Sequence, residues 1–298
     1  MAESTVPVDL LNPGQVFACV GLAEVADVLV GVHAAGFHPS PSGEVRFHIA
    51  GAGDASPVSA VMAFLRDADV SSTAPEGSPL DTEKWKVPTQ AASHAAAADG
   101  AFPVPCPSSP ATLPALLSTE HATIVIDHWG DGTIRDNAKF WAGSGGYPGV
   151  GLLRDALELV RPALTDPEGA EAVEADPFSL SAAQSSSFRF DWRRDYVPLG
   201  VGFSLNAHGA MQPVGYPLVE TLAAIGLTHA RPLRPDPRDK LHYRYGVALG
   251  DLPLPLLRAA LGCAPLPVPT RTFRMVLAWP GKENQARCIT DVVEETRP

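Results

Sequence analysis

Between residues 12 and 30, in LLNPGQVFACVGLAEVADVLVG, apolar positions recur at spacings of three and four. Ala18, Gly21, Leu22, Val25 and Leu29 then share one face of a helix, with Glu24 and Asp27 elsewhere. Asn12 is placed to cap that helix, Pro13 to open it, and Gln15 to complete a capping box. EVRFHIAG (44–51) alternates like a strand, and SPVSAVMAFLRDAD (56–69) returns to helical spacing behind Ser56 and Pro57. HATIVID (121–127) reads as a short β-branched strand, and VGLLRDALELVRPAL (150–164) as an amphipathic helix. Beyond it, SFRFDW (187–192), LGVGFSLN (199–206), LHYRYGVAL (241–249) and RTFRMVLAW (271–279) alternate, and YPLVETLAAIGL (216–227) is helical. The pattern predicts an α+β fold, a mainly antiparallel sheet with helices packed on it. ACVGLAEVA (18–26) is faintly echoed by AAIGLTHAR (223–231), a match that two apolar helices can share by chance.

Two stretches lack periodicity. Residues 71–114 are dense in Ala, Ser and Pro, and TDPEGAEAVEADP (165–177) is acidic, so both are expected to be mobile connections. A boundary is drawn at the second, giving an N-terminal part (1–177) and a C-terminal part (178–298).

With 298 residues and 45% hydrophobic side chains the chain can bury a large core. The net charge of −11 argues against unaided binding of phosphate, but it is unevenly spread. Residues 1–185 hold 8 basic and 23 acidic side chains, whereas residues 186–287 hold 13 and 7. The C-terminal part is therefore the expected phosphate-facing side, unless the split is only an uneven solvated surface. Cys19, Cys106, Cys263 and Cys288 form no close pair, which fits a reducing compartment. No uninterrupted apolar window long enough for a bilayer and no signal-like leader is read, so a cytoplasmic location without membrane contact is expected.

The chemistry concentrates in DHWGDGTIRDNAKFWAGSGGYPG (127–149). Gly143, Gly145, Gly146 and Gly149 precede a helix, where amides hold phosphates, yet Pro148 breaks G-x-G-x-x-G and no Walker motif occurs. No nucleotide cofactor is expected, and a tight turn before the helix explains these glycines equally well. Asp127, His128, Asp131 and Asp136 offer donors for a divalent ion, as a metal-dependent nuclease or hydrolase would need, but no second ligand motif accompanies them. Arg135, Lys139 and Trp141, with KWK at 84–86, alternate cations and rings as strand-tracking surfaces do. FRFDWRRDY (Arg189, Arg193, Arg194) and ARPLRPDPRDKLHYRY (Arg231, Arg234, Arg238, Lys240, Arg244) make the densest cation–aromatic clusters. Those ten cations are the candidate nucleic-acid contacts; neighbouring aspartates are equally able to neutralise them as ion pairs.

NPGQVFACVGLAEVAD, IDHWGDGTIRDNAKFWAG, FRFDWRRDY with LGVGFSLN, and YPLVETLAAIGLTHARP together resemble a CRISPR-associated family. It is the roughly 300-residue protein encoded with subtype I-U (I-G) effector genes, described as large-subunit-like or RAMP-like. The resemblance spans residues 12 to about 245. It implies ferredoxin-like (RAMP-like) elements and a non-catalytic subunit of an RNA-guided surveillance complex in antiviral defence. The partners it implies are other effector subunits and, through them, guide RNA and target DNA. No catalytic residues are carried over. A hydrolase using Asp127, His128 and Asp131, and a protein-interaction module without nucleic-acid contact, remain the alternatives.

Overall fold

The computed structural model describes residues 2–92, 109–129, 147–193, 213–278 and 287–295. The expected strand 199–206 and residues Asp131, Arg135, Asp136, Lys139 and Arg194 lie outside them. The fold is α+β, with mostly antiparallel sheets and helices packed on them.

The chain opens β1 (Glu3–Val8), α1 (Pro13–Val30), β2 (Val32–Pro39), β3 (Val45–Gly51), α2 (Pro57–Asp67) and β4 (Asp69–Pro75). This is the β-α-β-β-α-β order of a ferredoxin-like unit, and β1, β3 and β2 pair antiparallel in the sequence 1-3-2. The fourth strand departs from that plan. β4 leaves for a second sheet with β5 (Thr89–Ala92), β6 (Ala115–Ser118) and β7 (Thr123–Ile126), in the order 5-4-6-7. Two helices follow, α3 (Gly149–Thr165) and α4 (Pro167–Ala175), then the two-residue strands β8 (Ala182–Ala183) and β9 (Val214–Gly215). The remaining elements are α5 (Pro217–His229), β10 (His242–Ala248), β11 (Gly250–Leu252), α6 (Leu254–Leu261), β12 (Thr270–Ala278) and β13 (Cys288–Glu295).

β10 and β11 are nearly one strand, bent where Gly250 takes φ +92°. β10 lies beside β12 and β13 in a third sheet, while β11 crosses to the open edge of β2 and completes the first sheet. The parts expected to divide near residue 177 therefore share strands, and they share one apolar core running from Val6 to Val292.

α1 is the axis of that core. Instead of one apolar face, every residue from Pro13 to Ala26 is buried, because α5 covers one side and sheet and helix elements cover the others. α1 is long and apolar enough to cross a bilayer, but its surface is mostly buried within this chain. Two glycines set the contact with α5. A Cβ on Gly21 would overlap the carbonyl oxygen of Leu222, and one on Gly226 would overlap that of Phe17. The echoed segments 18–26 and 223–231 thus meet each other at a close helix crossing.

Burying α1 all round also buries Glu24, and Arg258 of α6 answers it with two charge-assisted bonds of 2.6 Å to the carboxylate. Replacing Arg258 with methionine keeps the stem but strands the charge. Because the guanidinium is about a third exposed, water offsets part of the loss. The expected cost is about 1–2 kcal/mol, read from urea unfolding midpoints, and the double replacement with Glu24→Gln should recover much of it.

Several local expectations are corrected. Asn12 makes no cap bond, and Gln15 accepts from the Asp9 amide instead of closing a capping box, because Asn12 is drawn to Asp191. Within 71–114, of which residues 93–108 lie outside the described residues, the first part holds most of β4 as well as β5, joined by Ser72, whose hydroxyl lies 2.7 Å from that of Thr82 and 2.8 Å from that of Thr89. Hydroxyl pairing there replaces the apolar periodicity that the sequence lacks. The acidic connector 165–177 contains α4, started by Asp166 accepting from the Gly169 amide and by Pro167 in the first turn. Residues 187–192 form no strand: Arg189 takes φ +70°, and the Asp191 amide donates to Glu220 instead of to a neighbouring strand.

Candidate functional site

The described parts of the four stretches that carry the resemblance come together in space. From the start of α1, Asn12 Nδ2 donates to Asp191 Oδ1 at 2.9 Å. The backbone of Phe190 and Asp191 passes so close to Gly14 that a Cβ there would lie 2.6 Å from the Phe190 oxygen. From the start of α5, Glu220 Oε1 accepts from the Asp191 amide at 3.1 Å. From its end, Thr228 lies 3.4 Å from the Asp127 amide, and Arg231 donates to the His128 carbonyl. Asn12, Asp127, His128, Asp191 and Glu220 are all buried, an unusual density of polar groups inside a core.

Asp191 is the hub. Besides Asn12 it receives the Arg193 amide at 2.9 Å and the Arg193 guanidinium, with Nη2 at 2.6 Å from Oδ2. Arg193 also donates to the Phe178 carbonyl at 2.8 Å and lies 3.6 Å over the Tyr216 ring. Its charge is therefore largely committed inside the protein, where it fixes the chain at the point of entry into residues 194–212.

The glycine-rich stretch starts from an equally buried base. Trp129 donates from its indole nitrogen to the Leu113 carbonyl at 3.2 Å, and Gly149 packs against its ring. The His128 ring lies within 4.8–5.8 Å of the rings of Trp129, Phe188 and Phe190, and Phe188 and Phe190 stack on each other. Arg231 tethers the main chain of His128 from the far side. Both described ends of the 127–149 stretch are thus anchored in the core.

Asp127 is the anomaly. Neither of its carboxylate oxygens has a hydrogen-bond partner among the described residues. Burial pushes its pKa up to about 6, while the charge of Arg231 and the aspartate's own amide pull the other way. Among the described residues, Asp127 and His128 join no cluster of three metal donors; His38, His48 and Asp251, on the first sheet, do.

The other candidate cations are scattered. Arg189 is half-buried with left-handed backbone, and Arg234 and Lys240 are partly exposed. Arg244 pairs with Glu295 at 2.7 Å, and Arg238 is exposed on the turn before β10. Two further arginines went unread in the sequence: Arg274, exposed and registered opposite Arg244, and Arg46 on β3. Strand parity marks them, but only once the pairing of β10 with β12 and of β1 with β3 is known.

Comparison with protein-family models, with curated proteins and with solved structures returns no match.

Proposed function

We propose that the chain is a non-catalytic subunit of an RNA-guided CRISPR surveillance complex of subtype I-U (I-G), working in cytoplasmic antiviral defence. One observation carries the reading: the described parts of the four stretches that resemble the family meet in one buried junction, where Asn12 and Glu220 bond to Asp191, the 127–128 backbone bonds to Thr228 and Arg231, and the His128 ring packs on Phe188 and Phe190. Asn12 and Asp191 meet there although 179 positions apart in the chain. The junction supports the starts of two segments, 130–146 and 194–212, whose sequences hold Arg135, Lys139 and Arg194. In such complexes base pairing reads sequence, while protein subunits hold backbone and steady the displaced strand. The acidic N-terminal part is the side for neighbouring subunits; Arg238, Lys240, Arg244 and Arg274 belong to the nucleic-acid side.

The test is reconstitution with the guide RNA and the neighbouring effector subunits, followed by target-DNA binding across a salt series. Replacing Arg238, Lys240 and Arg274 by alanine is expected to weaken binding and to lower the slope of log K against log salt by about 0.9 for each phosphate contact removed. Failure to co-assemble with the guide-loaded subunits sinks the proposal. Assembly with unchanged affinity and slope makes the chain a protein-interaction module. Magnesium- or manganese-dependent cleavage that disappears in Asp127→Ala makes it a hydrolase.

A further inference from the structure

We infer that the outer face of the first sheet binds one divalent transition-metal ion of the zinc class, through His38 Nε2, His48 Nδ1 and the Asp251 carboxylate. The three side chains come from three adjacent strands, β2, β3 and β11, and their donor atoms all lie within 4.8 Å of one another. Asp251 Oδ1 is 2.8 Å from His38 Nε2 and 3.0 Å from His48 Nδ1. Two imidazoles and one carboxylate around an open side form a donor set suited to zinc and its neighbours. Bonds of about 2.0–2.2 Å to such an ion set donors about 3.4 Å apart in a tetrahedron, so a small outward turn of Asp251 admits it.

The backbone is shaped for this meeting. Gly36 of β2 is registered opposite His48 on one side and opposite Asp251 on the other. With no side chain between them, the two reach across the intervening strand. Gly250, at φ +92°, turns the chain so that Asp251 arrives on that face.

A second observation concerns the other side of the His48 ring. Its Nε2 lies 3.6 Å from Glu3 Oε2, on β1. His48 therefore has a carboxylate near each ring nitrogen. With a metal ion on the Nδ1 lone pair, the Nε2 N–H points toward Glu3. Metal-bound histidines are habitually oriented by such an outer carboxylate. The ring is mostly covered, whereas His38 is about half exposed and leaves an approach from solvent.

This inference is independent of the surveillance-complex reading and is tested on the full-length chain without a histidine tag. Titration with Zn2+ by calorimetry at pH 7.5 is expected to give one saturable site per chain. Co2+ should give the visible absorption of a low-coordinate ion, bleached by added Zn2+. His48→Ala and Asp251→Asn should each lower Zn2+ affinity at least ten-fold, and Glu3→Gln by a smaller factor. Circular dichroism and unfolding midpoints check that these variants fold, and His38→Ala, at the exposed ring, serves if a buried change does not. Absence of a saturable site, or affinity unchanged in both His38→Ala and Asp251→Asn, overturns the inference.

Discussion

Replacing Gly21 by valine is expected to lower stability by about 3 kcal/mol or more, enough to shift a urea midpoint far outside error. The reason is positional. A side chain at residue 21 meets the backbone of α5 at Leu222, which cannot swing aside as a flexible side-chain tip can. Helices that approach this closely contact backbone to backbone, so added volume separates the whole pair and opens the core around Phe17 and Tyr245, whose rings lie 5.9 Å apart. Gly226→Val should cost a similar amount, since its Cβ would enter the Phe17 carbonyl from the opposite side. The two effects should add to less than their sum, because the first substitution has already parted the helices. Gly53→Ala is the control: nothing lies within 4 Å of an added Cβ, and its midpoint should stay close to that of the parent. A Gly21→Val protein with a near-parental midpoint would mean that the helices do not cross there.

Asp127→Asn is expected to stabilise the protein at pH 8 by about 2 kcal/mol and to do almost nothing at pH 4. The sign follows from burial. The folded-state pKa of about 6 lies above the ordinary carboxylate value of 3.8, so folding favours the protonated acid. That preference is fully present below about pH 4 and is lost as the pH rises through 6, where ionisation inside the core costs about 3 kcal/mol for a shift of about two pH units. Asparagine carries no charge to ionise, although its buried amide needs partners of its own, which trims the gain. Chemical denaturation at the two pH values separates the outcomes. A variant less stable than the parent at pH 8 would mean that Asp127 is held as an anion, with Arg231 as its counterion. The result bears on function too, since a carboxyl that resists ionisation is a poor ligand for a hard cation.

Elements with local signals were legible. α2 has its capping serine and first-turn proline, with Ser56 accepting from the Ser59 amide at 3.3 Å, and the spacing around α3 and α5 placed both to within two residues. β1 and β2 were not legible, for physical reasons. β1 contains Pro7, which argues against a strand interior, but β1 lies at the sheet edge where a missing N–H is tolerated. β2 buries Ala35, Gly36 and Phe37 in succession, because Gly36 faces the backbone of β11 and breaks the two-residue period. β13 was hidden in part by its own irregularity at Thr290, which is passed over where Asp291 and Ile289 pair with Val276 and Leu277. The candidate site was legible as a set of motifs but not as a place. Asp191, one of the aspartates beside the arginine clusters, does pair with Arg193, yet its bond to Asn12 spans 179 residues. No periodicity encodes such a contact. The cluster of His38, His48 and Asp251 escaped for the same reason, since it depends on β11 crossing to the first sheet.

That crossing strand has a consequence for how the protein is made. β2 and β3 emerge from the ribosome early, but the neighbour that covers the free edge of β2 is encoded at residues 250–252. At about 5–20 residues per second, some 200 residues of synthesis leave that edge open for on the order of 10–40 seconds. An unpaired strand edge is a template for pairing with another chain, so the nascent protein is exposed to misassembly throughout that interval. A sheet closed by a late strand also ties the fold to contacts of long sequence separation, which slows its completion after release. The shared strand makes the finished molecule one unit and makes its biosynthesis dependent on protection of an edge that the mature structure conceals.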